Sequence, residues 1–449
     1  MTATVLWFRR DLRVSDHLAL AEAAGRGPVV GLFVLDPRLL APAGGPRVAF
    51  LLRCLRDLDE SLGGRLVVRT GDPVDIVPAV AAEADADRVY ASWDAGPYGS
   101  KRDERVAAAL GASDRGLALL GSPYAVDPGS VYTGAGQPFR VFSPFYRAWT
   151  GHGWGQPLTE SRSATWVEGL RSETIPADPP VGAALPPAGE AAALARLDAF
   201  LAGAAGYQTG RDVPAADATS RLSPYLKYGC IHPRQILARL DRSPAHEKFR
   251  KELAWREFYA DVLWHVPASA RRSFQPAMVR MKLDSGPVAD ERFQAWTQGR
   301  TGFPLVDAGM RQLLGQAWVH NRVRMVVASF LVKDLHIDWA RGARWFLEHL
   351  VDGDLASNNH GWQWVAGTGT DPAPYFRIFN PVAQGKEHDP DGDYVRRWVP
   401  ELAGVAGAAV HEPWKLPGGV PVGYPERIVD HAAERAEALS RYSALKSTR

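Results

Sequence analysis

Short apolar runs alternate with segments of helical periodicity over the first 120 residues of the chain. The apolar runs predict strands at residues 5–8, 29–35, 65–69, 88–91 and 117–120. Apolar positions that recur every three or four residues predict helices at 15–24, 47–62, 74–84 and 100–110. Because strands that alternate with helices usually pair in parallel, we expect a Rossmann-like α/β domain with a parallel five-stranded sheet. The three spaced glycines of a nicotinamide dinucleotide site are absent after the first strand.

This pattern changes twice further along the chain. Residues 121 to about 195 are rich in glycine, proline and serine, and no period is sustained there. From residue 194 to residue 352, helical patterns dominate and strand-like runs are rare. We therefore predict an α/β domain at 1–125, a long inter-domain connection at 126–195 and an all-α domain at 196–449.

Residues 352–364 form an unusual polar segment, Asp-Gly-Asp-Leu-Ala-Ser-Asn-Asn-His-Gly-Trp-Gln-Trp. The segment fits neither the 3.6-residue period of an amphipathic helix nor the alternation of a half-buried strand. Packing alone therefore does not explain why two carboxylates, two asparagines and two tryptophans stand together, and we expect a bound group there.

Composition narrows the class of protein. Among the 449 residues, 46% are hydrophobic and 23% are charged, which is typical of a globular protein. Cys54 and Cys230 are too few and too far apart in sequence for a disulfide framework or a zinc site, so we expect a reducing compartment and no metal. No apolar run follows Arg9 and Arg10, and none approaches the ~18 residues of a membrane span. We expect a cytoplasmic protein without a membrane partner.

Charge by itself does not identify a partner, because the net charge is only +2. A local basic groove is compatible with that balance. Aromatic residues are more informative, since ten of the fifteen tryptophans follow residue 254.

Three further motifs carry candidate chemistry. In Thr219-Ser-Arg-Leu-Ser-Pro-Tyr-Leu-Lys-Tyr-Gly229, hydroxyls and free N–H groups at a helix start would suit a diphosphate, although an ordinary Ser/Thr cap is the alternative. Helical spacing places Glu252, Trp255, Arg256 and Tyr259 on one face, which indicates either a platform for a nucleobase or a mixed surface.

The third motif contains Trp318, Asn321 and Met325, which helical spacing would place on one face. Asparagine is a poor residue for a helix interior, so its amide is expected to serve a ligand or a buried network. The methionine is weaker evidence, because methionine often fills cores.

Together these motifs resemble the DNA photolyase and cryptochrome family, and most closely the class I cyclobutane pyrimidine dimer photolyases. The resemblance runs over nearly the whole chain. It is carried by Leu6-Trp-Phe-Arg-Arg-Asp-Leu-Arg13, Thr219-Ser-Arg-Leu-Ser223, Trp255-Arg-Glu-Phe-Tyr259, Thr301-Gly-Phe-Pro304, His320-Asn-Arg-Val-Arg-Met325, Asp352-Gly-Asp-Leu355, Gly361-Trp-Gln-Trp364 and Tyr375-Phe-Arg377. It implies an antenna-binding α/β domain and a helical domain that holds reduced FAD in a U shape.

The resemblance also implies which residues contact FAD. Asp352 would pair with Arg324, Asp354 would accept the flavin N3–H, and Asn358 would face flavin N5, where a neutral amide adapts to the anionic reduced flavin. The full set implied is Tyr207, Thr219, Ser220, Arg221, Leu222, Ser223, Phe249, Glu252, Trp318, Asn321, Arg324, Asp352, Asp354 and Asn358.

UV-damaged DNA is the implied partner, and we expect a monomer. Aromatic faces and hydrogen-bonding groups would hold a flipped-out pyrimidine dimer, and these are Glu252, Trp255, Asn321, Met325 and Trp364. Neighbouring phosphates would be gripped by Arg211, Arg256, Arg322 and Arg377.

An electron relay in the family uses three tryptophans, and Trp362 and Trp339 match the first two. The third position falls within residues 278–288, which contain neither tryptophan nor tyrosine. We therefore hypothesise slow, rerouted or absent photoreduction with repair intact.

Within the family, three activities compete: repair of cyclobutane dimers, repair of 6-4 photoproducts, and cryptochrome signalling. A 6-4 enzyme would be expected to carry histidines at Asn321 and Met325, and plant and insect cryptochromes tend to carry Asp or Cys at Asn358. The sequence therefore favours cyclobutane-dimer repair. His360 departs from the small residue of many relatives, either as a packing variant or as a ring that tunes the flavin.

The N-terminal patterns look closer to antenna domains that bind a 5-deazaflavin (8-HDF) than to folate binders. Asp36, Arg47, Asp103 and Lys248 are the residues expected to line that site. Methenyltetrahydrofolate, FMN or an empty site are the alternatives.

Overall fold

The computed structural model describes residues 2–158, 164–370 and 377–447, with side chains up to residue 445. Within these limits the chain forms two compact units. The first unit comprises Met1–Val181, Pro186–Ala205 and Ser220–Pro267, and the second comprises Gly182–Leu185, Gly206–Thr219 and Ala268–Arg449. The chain therefore passes between the units several times, whereas the sequence analysis divides it into consecutive segments. The predicted boundaries at 125 and 195 stay a prediction.

A five-stranded sheet forms the centre of the N-terminal part of the first unit. Its strand order is β3-β2-β1-β4-β5, and every neighbouring pair is parallel. Each strand lies within one residue of its predicted bounds. The strands are β1 (Thr4–Phe8), β2 (Val29–Leu35), β3 (Leu66–Thr70), β4 (Arg88–Ala91) and β5 (Gly116–Leu119).

Strands β1 and β2 show why the sequence predicts the sheet. Every residue of β1 and β2 is buried, so these strands read as continuous apolar runs, as expected for a parallel sheet covered on both faces. Their register pairs Thr4 with Val29 and Phe8 with Phe33. The predicted α/β fold with a five-stranded parallel sheet is confirmed.

The remaining regular structure is helical, including all of the regular structure described in the second unit, which confirms the predicted all-α part. In chain order the helices are α1 (Leu18–Arg26), α2 (Pro37–Leu40), α3 (Gly45–Ser61), α4 (Pro73–Glu83), α5 (Pro97–Gly111), α6 (Phe142–His152), α7 (Glu190–Ala202), α8 (Tyr207–Gly210), α9 (Ser223–Tyr228), α10 (Pro233–Leu237), α11 (Pro244–His265), α12 (Pro287–Thr297), α13 (Pro304–Gln316), α14 (Asn321–Ser329), α15 (Trp339–His349), α16 (Leu355–Ala366), α17 (Pro381–His388), α18 (Asp393–Trp398) and α19 (His431–Ser447).

Short 3-10 and π turns complete the helical regions. A π-helical turn at Phe330–Asp334 continues α14. The 3-10 turns are Ala204–Gly206, Pro214–Ala216, Pro267–Ala270, Pro276–Arg280, Pro400–Leu402, Gly407–His411 and Pro413–Lys415. No helix in the described parts of the chain is long and apolar enough to cross a membrane.

Three helices lie where the sequence predicts none, and one of them is the four-residue α2. Within the connection, α6 buries Phe142, Phe145 and Trp149, which follow helical spacing over a single short segment between glycine- and proline-rich stretches. The segment 352–364 lacks the period of an amphipathic helix, yet most of it is helical, because α16 begins at Leu355. The polar residues Asn359, His360 and Gln363 are buried there, so the helix lacks the apolar face that periodicity detects.

Trp318 also requires a correction, because it does not share a helix with Asn321 and Met325. Helix α13 ends at Gln316, and Ala317 takes a left-handed conformation with φ of 51°. His320 then caps α14, so Asn321 is its first residue and not an interior one. A helix start accepts asparagine without the propensity cost that the prediction assumed.

The two cysteines are closer than their separation in sequence suggests. Cys54 and Cys230 both lie in the first unit, are buried, and are free thiols with their sulfurs 3.5 Å apart.

Candidate functional site

The residues predicted to contact FAD are distributed over both compact units, so each part is described separately. In the first unit, the segment 220–223 enters α9 through a left-handed residue, Arg221, with φ of 50°. Leu222 precedes the helix and has no side-chain cap hydrogen bond, while the backbone carbonyl of Ser220 accepts from Nε of Arg196 at 2.8 Å. The N-cap position is thus held by a leucine, while the hydroxyl of Ser220 accepts from the N–H of Leu222 at 3.4 Å. A strained non-glycine residue at such a position is typical of functional loops.

Helix α11 carries the aromatic face predicted for the substrate. Trp255 stacks on Phe142 with ring centroids 3.7 Å apart and an interplanar angle of 6°, and Tyr259 lies 5.4 Å away. Phe142 thus covers one face of the indole. Glu252 and Trp255 are both partly exposed on this helix, and Phe249 is buried against Phe200, with ring centroids 4.6 Å apart.

Arg256 is held mainly by the first unit itself. Its guanidinium donates to the carbonyls of Pro123 and Leu226 at 2.9 and 3.0 Å and lies 4.5 Å from the ring of Tyr124. Its predicted contact with DNA stays a prediction.

Glu257, which the sequence analysis did not single out, anchors the same helix. This fully buried carboxylate accepts from the backbone N–H groups of Ala125 and Val126 at 2.6 and 3.1 Å and from the indole N–H of Trp149. Burial raises the pKa of Glu257 to about 7, even though these three donors oppose the shift. Glutamate is so often exposed that its sequence position alone gives no signal of this role.

In the second unit, the predicted pair of Arg324 and Asp352 is present. Nη2 of Arg324 lies 2.8 Å from a carboxylate oxygen of Asp352, and its Nε donates to the carbonyl of Val319 at 2.7 Å. Asp352 is buried, so the pair presents a fixed guanidinium and carboxylate. Asp354 caps α16 by accepting from the N–H of Ser357 at 3.1 Å.

The Asn358 side chain is oriented by two acceptors. Its Nδ2 donates to the carbonyl of Ala343 at 3.0 Å and to Oδ1 of Asn359 at 2.8 Å. Asn359 in turn donates its own Nδ2 to the carbonyl of Ala270. Because backbone carbonyls only accept, they define which end of each amide is nitrogen. Both amide hydrogens of Asn358 are therefore committed, and its oxygen is the atom left to meet a donor.

Helix α16 is tied to the segment 269–274 by further polar residues. His360 is buried, with Nδ1 donating to the carbonyl of Ala356 at 2.8 Å and Nε2 lying 2.9 Å from the Ser269 hydroxyl. Gln363 donates to the carbonyl of Ser269 at 2.7 Å and accepts from the N–H of Phe274 at 2.8 Å. Burial lowers the pKa of His360, so its ring is a neutral cross-link at neutral pH.

The two predicted relay tryptophans lie in the same unit. Trp362 is buried against Phe346 and Trp296, with ring centroids 5.1 and 6.1 Å away. A Cβ at Gly342 would lie 2.3 Å from Cη2 of Trp362, so this glycine lets the indole reach α15. Trp339 is the first residue of α15, three residues before Gly342. Its Nε1 donates to the Ser273 hydroxyl at 3.3 Å.

Three predicted substrate residues belong to the second unit. Asn321 and Met325 are one turn apart on α14, and Asn321 is exposed at the helix start. Trp364 is partly buried and packs against the core of this unit, and so does Met325. Trp318 precedes α14 and is partly exposed.

The other predicted DNA-binding arginines also lie in the second unit. Arg211 is 5.6 Å from the ring of Tyr207, and Arg322 pairs with Asp212 at 2.9 Å. Arg377 is exposed and lies 4.7 Å from the ring of Phe379. The neighbouring motif residues 375 and 376 are outside the described residues.

The residues predicted for the antenna site lie in the first unit. Asp36 caps α2 and accepts from the hydroxyl of Tyr98, whose pKa rises to about 12 through burial and this hydrogen bond. Asp103 is buried and pairs with Arg9 and Arg102. The remaining two are Arg47, partly buried in α3, and Lys248, exposed on α11.

Known families match most of the chain. Residues 4–162 match the family described as DNA photolyase, and residues 249–444 match the FAD binding domain of DNA photolyase. The deoxyribodipyrimidine photo-lyase of Streptomyces griseus is 43% identical, over 97% of this chain and 98% of its own length. That of Escherichia coli K12 is 40% identical, over 99% of both chains.

Solved structures show the same similarity. A bacterial class III photolyase from Agrobacterium tumefaciens superimposes with a TM-score of 0.93 at 39% identity, over 100% of this chain and 98% of its own. A Synechocystis cryptochrome gives 0.89 at 27% identity, over 98% and 99% of the two chains. An archaeal photolyase from Sulfolobus tokodaii, described with two FAD molecules, gives 0.86 at 28% identity, over 99% and 100%.

Proposed function

This chain belongs to the DNA photolyase family, and on that basis we propose that it repairs cyclobutane pyrimidine dimers in DNA, driven by light. Membership makes the chain an enzyme, a DNA-repair lyase and a flavoprotein. The lesion that it repairs and the part that each of its residues plays go beyond family membership. Curated relatives named deoxyribodipyrimidine photo-lyase, about 40% identical over their full length, support it.

The single observation that carries the proposal is the orientation of Asn358. Its amide hydrogens are committed to Ala343 and Asn359, so its oxygen would accept the N5–H of a reduced flavin. The side chain is neutral, which suits an anionic reduced flavin better than a carboxylate would. The residues present therefore fit FAD in the reduced state that photolyase repair uses.

Other residues would bind the remaining parts of the cofactor. Asp354 would accept the flavin N3–H. The ion pair of Arg324 and Asp352 would place one positive and one negative charge at set positions beside the flavin. Tyr207 and the segment 219–223 would surround the diphosphate. The left-handed conformation of Arg221 lies within this segment, just before the start of α9, where backbone N–H groups can bind an anion. When bound, reduced FAD supplies the electron that opens the cyclobutane ring after light absorption.

The substrate would be held by stacking and hydrogen bonds. Trp255, whose other face is covered by Phe142, and Trp364 would provide aromatic faces for the flipped-out dimer. Glu252 and Asn321 would hydrogen-bond its polar edges. Asn321 and Met325 stand where a 6-4 enzyme is expected to carry histidines, which favours the cyclobutane lesion.

Light-dependent loss of cyclobutane dimers from a short UV-irradiated oligonucleotide tests the proposal. We expect the chemically reduced protein to restore intact thymines under blue light and to leave the dimers unchanged in the dark. Retention of the dimers under light would contradict the proposed function and would favour a cryptochrome-type role, which one structural neighbour holds.

Glu252→Ala tests the substrate pocket within that assay. We expect its repair quantum yield to fall sharply, because the carboxylate would no longer hydrogen-bond the lesion. Glu104→Ala, which removes an exposed carboxylate from α5, is the matched control. Equal repair by Glu252→Ala and the unaltered protein would exclude Glu252 from this role.

For the antenna we propose a 5-deazaflavin, supported by the N-terminal motifs. Mass spectrometry and the absorption spectrum of the chromophore released from protein purified from its native host would decide between deazaflavin, folate and a second flavin. A folate or flavin spectrum would refute the deazaflavin assignment.

A further inference from the structure

A cavity of about 540 Å³ lies in the second unit beside Trp339, and we call it the Trp339 cavity. Its walls come from the segment 271–283, from the residues that lead into α15, and from α19. Its volume falls within the range of small-molecule sites. Among its apolar lining residues are Met278, Met281, Leu283 and Ala438.

The charged lining of the Trp339 cavity is predominantly cationic. Arg271, Arg272 and Lys282 are exposed at the cavity, and within the described parts of the chain none of the three lies within ion-pair distance of a carboxylate. Lys282 interacts electrostatically with Glu437 over a longer range. Asp338 is the carboxylate of the lining, and it caps α15 through the N–H of Ala340 at 3.0 Å. Arg441 also lines the cavity, but its guanidinium is paired with acidic residues of the protein.

A buried hydroxyl adds a second polar feature to the cavity. Thr368 is only 6% exposed, lines the cavity, and its Oγ1 has no hydrogen-bond partner among the described residues. Leaving such a group unpaired costs free energy, so a ligand that hydrogen-bonds to it would be favoured. The site therefore combines an indole, apolar walls, three cations outside any close ion pair and an unpaired hydroxyl.

We propose that the Trp339 cavity binds a reduced nicotinamide nucleotide, which donates electrons to Trp339. The planar dihydronicotinamide suits the indole and the apolar walls, and its phosphates suit Arg272 and Lys282. The carboxamide would meet the Thr368 hydroxyl. This use of the cavity rests on the proposed function, because Trp339 requires a donor only when it supplies electrons to the flavin site.

The electron transfer would proceed in single steps. An oxidised Trp339 radical cation gains one electron, and the bound dihydronicotinamide loses one and then releases a proton to water. The resulting neutral nicotinamide radical gives its remaining electron to dioxygen and leaves as the oxidised nucleotide. The segment 278–288 contains neither tryptophan nor tyrosine, so a bound donor would replace a terminal aromatic residue of the protein.

Calorimetric titration of NADH into the flavin-loaded protein in the dark tests binding directly. We expect one equivalent to bind, and we expect Arg272→Glu/Lys282→Glu to weaken binding by about tenfold or more, since phosphate would meet two reversed charges. Arg280→Glu is the matched control, because Arg280 is exposed on the same segment but does not line the cavity. Absence of NADH binding, or equal affinity in the double variant, would overturn the proposal.

A second variant fills the cavity without changing its charge. Leu283 is 42% exposed, so Leu283→Trp should fold while its indole occupies the space of the nicotinamide, and we expect it to abolish NADH binding. Unchanged NADH affinity in Leu283→Trp would count against this placement of the ligand.

Photoreduction kinetics test the electron-donor role. In the unaltered protein the rate should saturate with NADH, whereas in Arg272→Glu/Lys282→Glu it should rise in proportion to NADH. With dithiothreitol, an uncharged donor, both proteins should be reduced at the same rate. A rate that never saturates in the unaltered protein would refute the role.

Dimer repair by the dithionite-reduced protein separates this inference from the proposed function. We expect Arg272→Glu/Lys282→Glu to repair as well as the unaltered protein. Repair without NADH binding would overturn the inference alone, whereas specific NADH binding without repair would overturn the proposed function alone.

Discussion

Helices α11 and α16 both bury polar side chains that tie them to an adjacent segment, but their responses to pH are opposite. In α11 the cross-link is an acid, Glu257, and burial raises its pKa to about 7. In α16 it includes a base, His360, and burial lowers its pKa. Both groups are driven towards their neutral forms by the same desolvation. Burial, more than residue type, therefore favours the neutral state, whereas residue type sets the direction of the pH dependence.

The largest expected effect is the loss of the α11 anchor. Glu257→Ala would leave two backbone N–H groups and the Trp149 indole N–H without their acceptor. We expect the free energy of unfolding of the first unit to fall by about 3–5 kcal/mol, since each orphaned donor costs about 1–3 kcal/mol. Hydrogen exchange at residues 125–126, compared between Glu257→Ala and the surface control Glu104→Ala, measures it. Equal protection in the two variants would contradict the anchoring role.

The pH dependence of that anchor gives the next prediction. Below about pH 4.5 Glu257 is protonated in both states; as the pH rises towards 7 the unfolded chain ionises while the folded one does not, so stability falls. We expect a loss of about 3 kcal/mol across this window, at about 1.4 kcal/mol per pKa unit, and no further loss above it. Glu257→Gln should remove this slope from denaturant unfolding curves recorded over the window. The same slope in the variant would assign the effect to another group.

A smaller effect is expected in α16 from Gln363→Leu. The change would leave the Ser269 carbonyl and the Phe274 N–H without their side-chain partner. We expect the free energy of unfolding of the second unit to fall by about 2 kcal/mol. Because the segment 269–274 leads into the wall of the Trp339 cavity, hydrogen exchange there should rise. Gln298→Leu, at the end of α12, serves as the control because Gln298 is exposed. Unchanged hydrogen exchange at residues 269–274 would mean that Gln363 is not needed to hold this segment against α16.

The smallest effect is expected from His360→Gln, which keeps a neutral polar group. The lowered pKa means that the contribution of His360 is present above the ordinary pKa of 6.5 and is lost as the pH falls through its folded value. We expect about 1 kcal/mol of cost at neutral pH, comparable to one hydrogen bond, and less acid sensitivity of α16 than in the unaltered protein. If hydrogen exchange of residues 355–366 in the variant kept the acid sensitivity of the unaltered protein, His360 would not be the source of the pH dependence of α16.

The sequence predicted those elements whose burial leaves a periodic signal. All five strands and the four main helices of the sheet region were placed within a few residues, because buried parallel strands are continuous apolar runs. The helical face of Glu252 and Trp255 was also correct. The sequence did not predict α2, which is only four residues long, or α6, which is short and flanked by glycine and proline. It also did not predict α16, whose buried face is polar.

In the candidate site, too, the sequence predicted some residues but not their surroundings. The resemblance named Asn358 and Trp339, but the partners that orient or surround them came from distant positions. Asn358 is oriented through Ala343 and Asn359, and Trp339 borders a cavity whose other walls include residues near 280 and 440. No local pattern connects such positions, since side-chain hydrogen bonds and cavity walls depend on which segments meet.

By itself, the sequence determined the sheet, the helical character of the rest and the family, because these depend on local periodicity and on motifs of fixed spacing. Only the tertiary structure decided which polar residues are neutral cross-links, which atom of Asn358 is left to accept a hydrogen bond, and that a cationic cavity lies beside Trp339. Those properties arise from desolvation and from contacts between segments far apart in the chain. The spacing of neighbouring residues predicts neither of them.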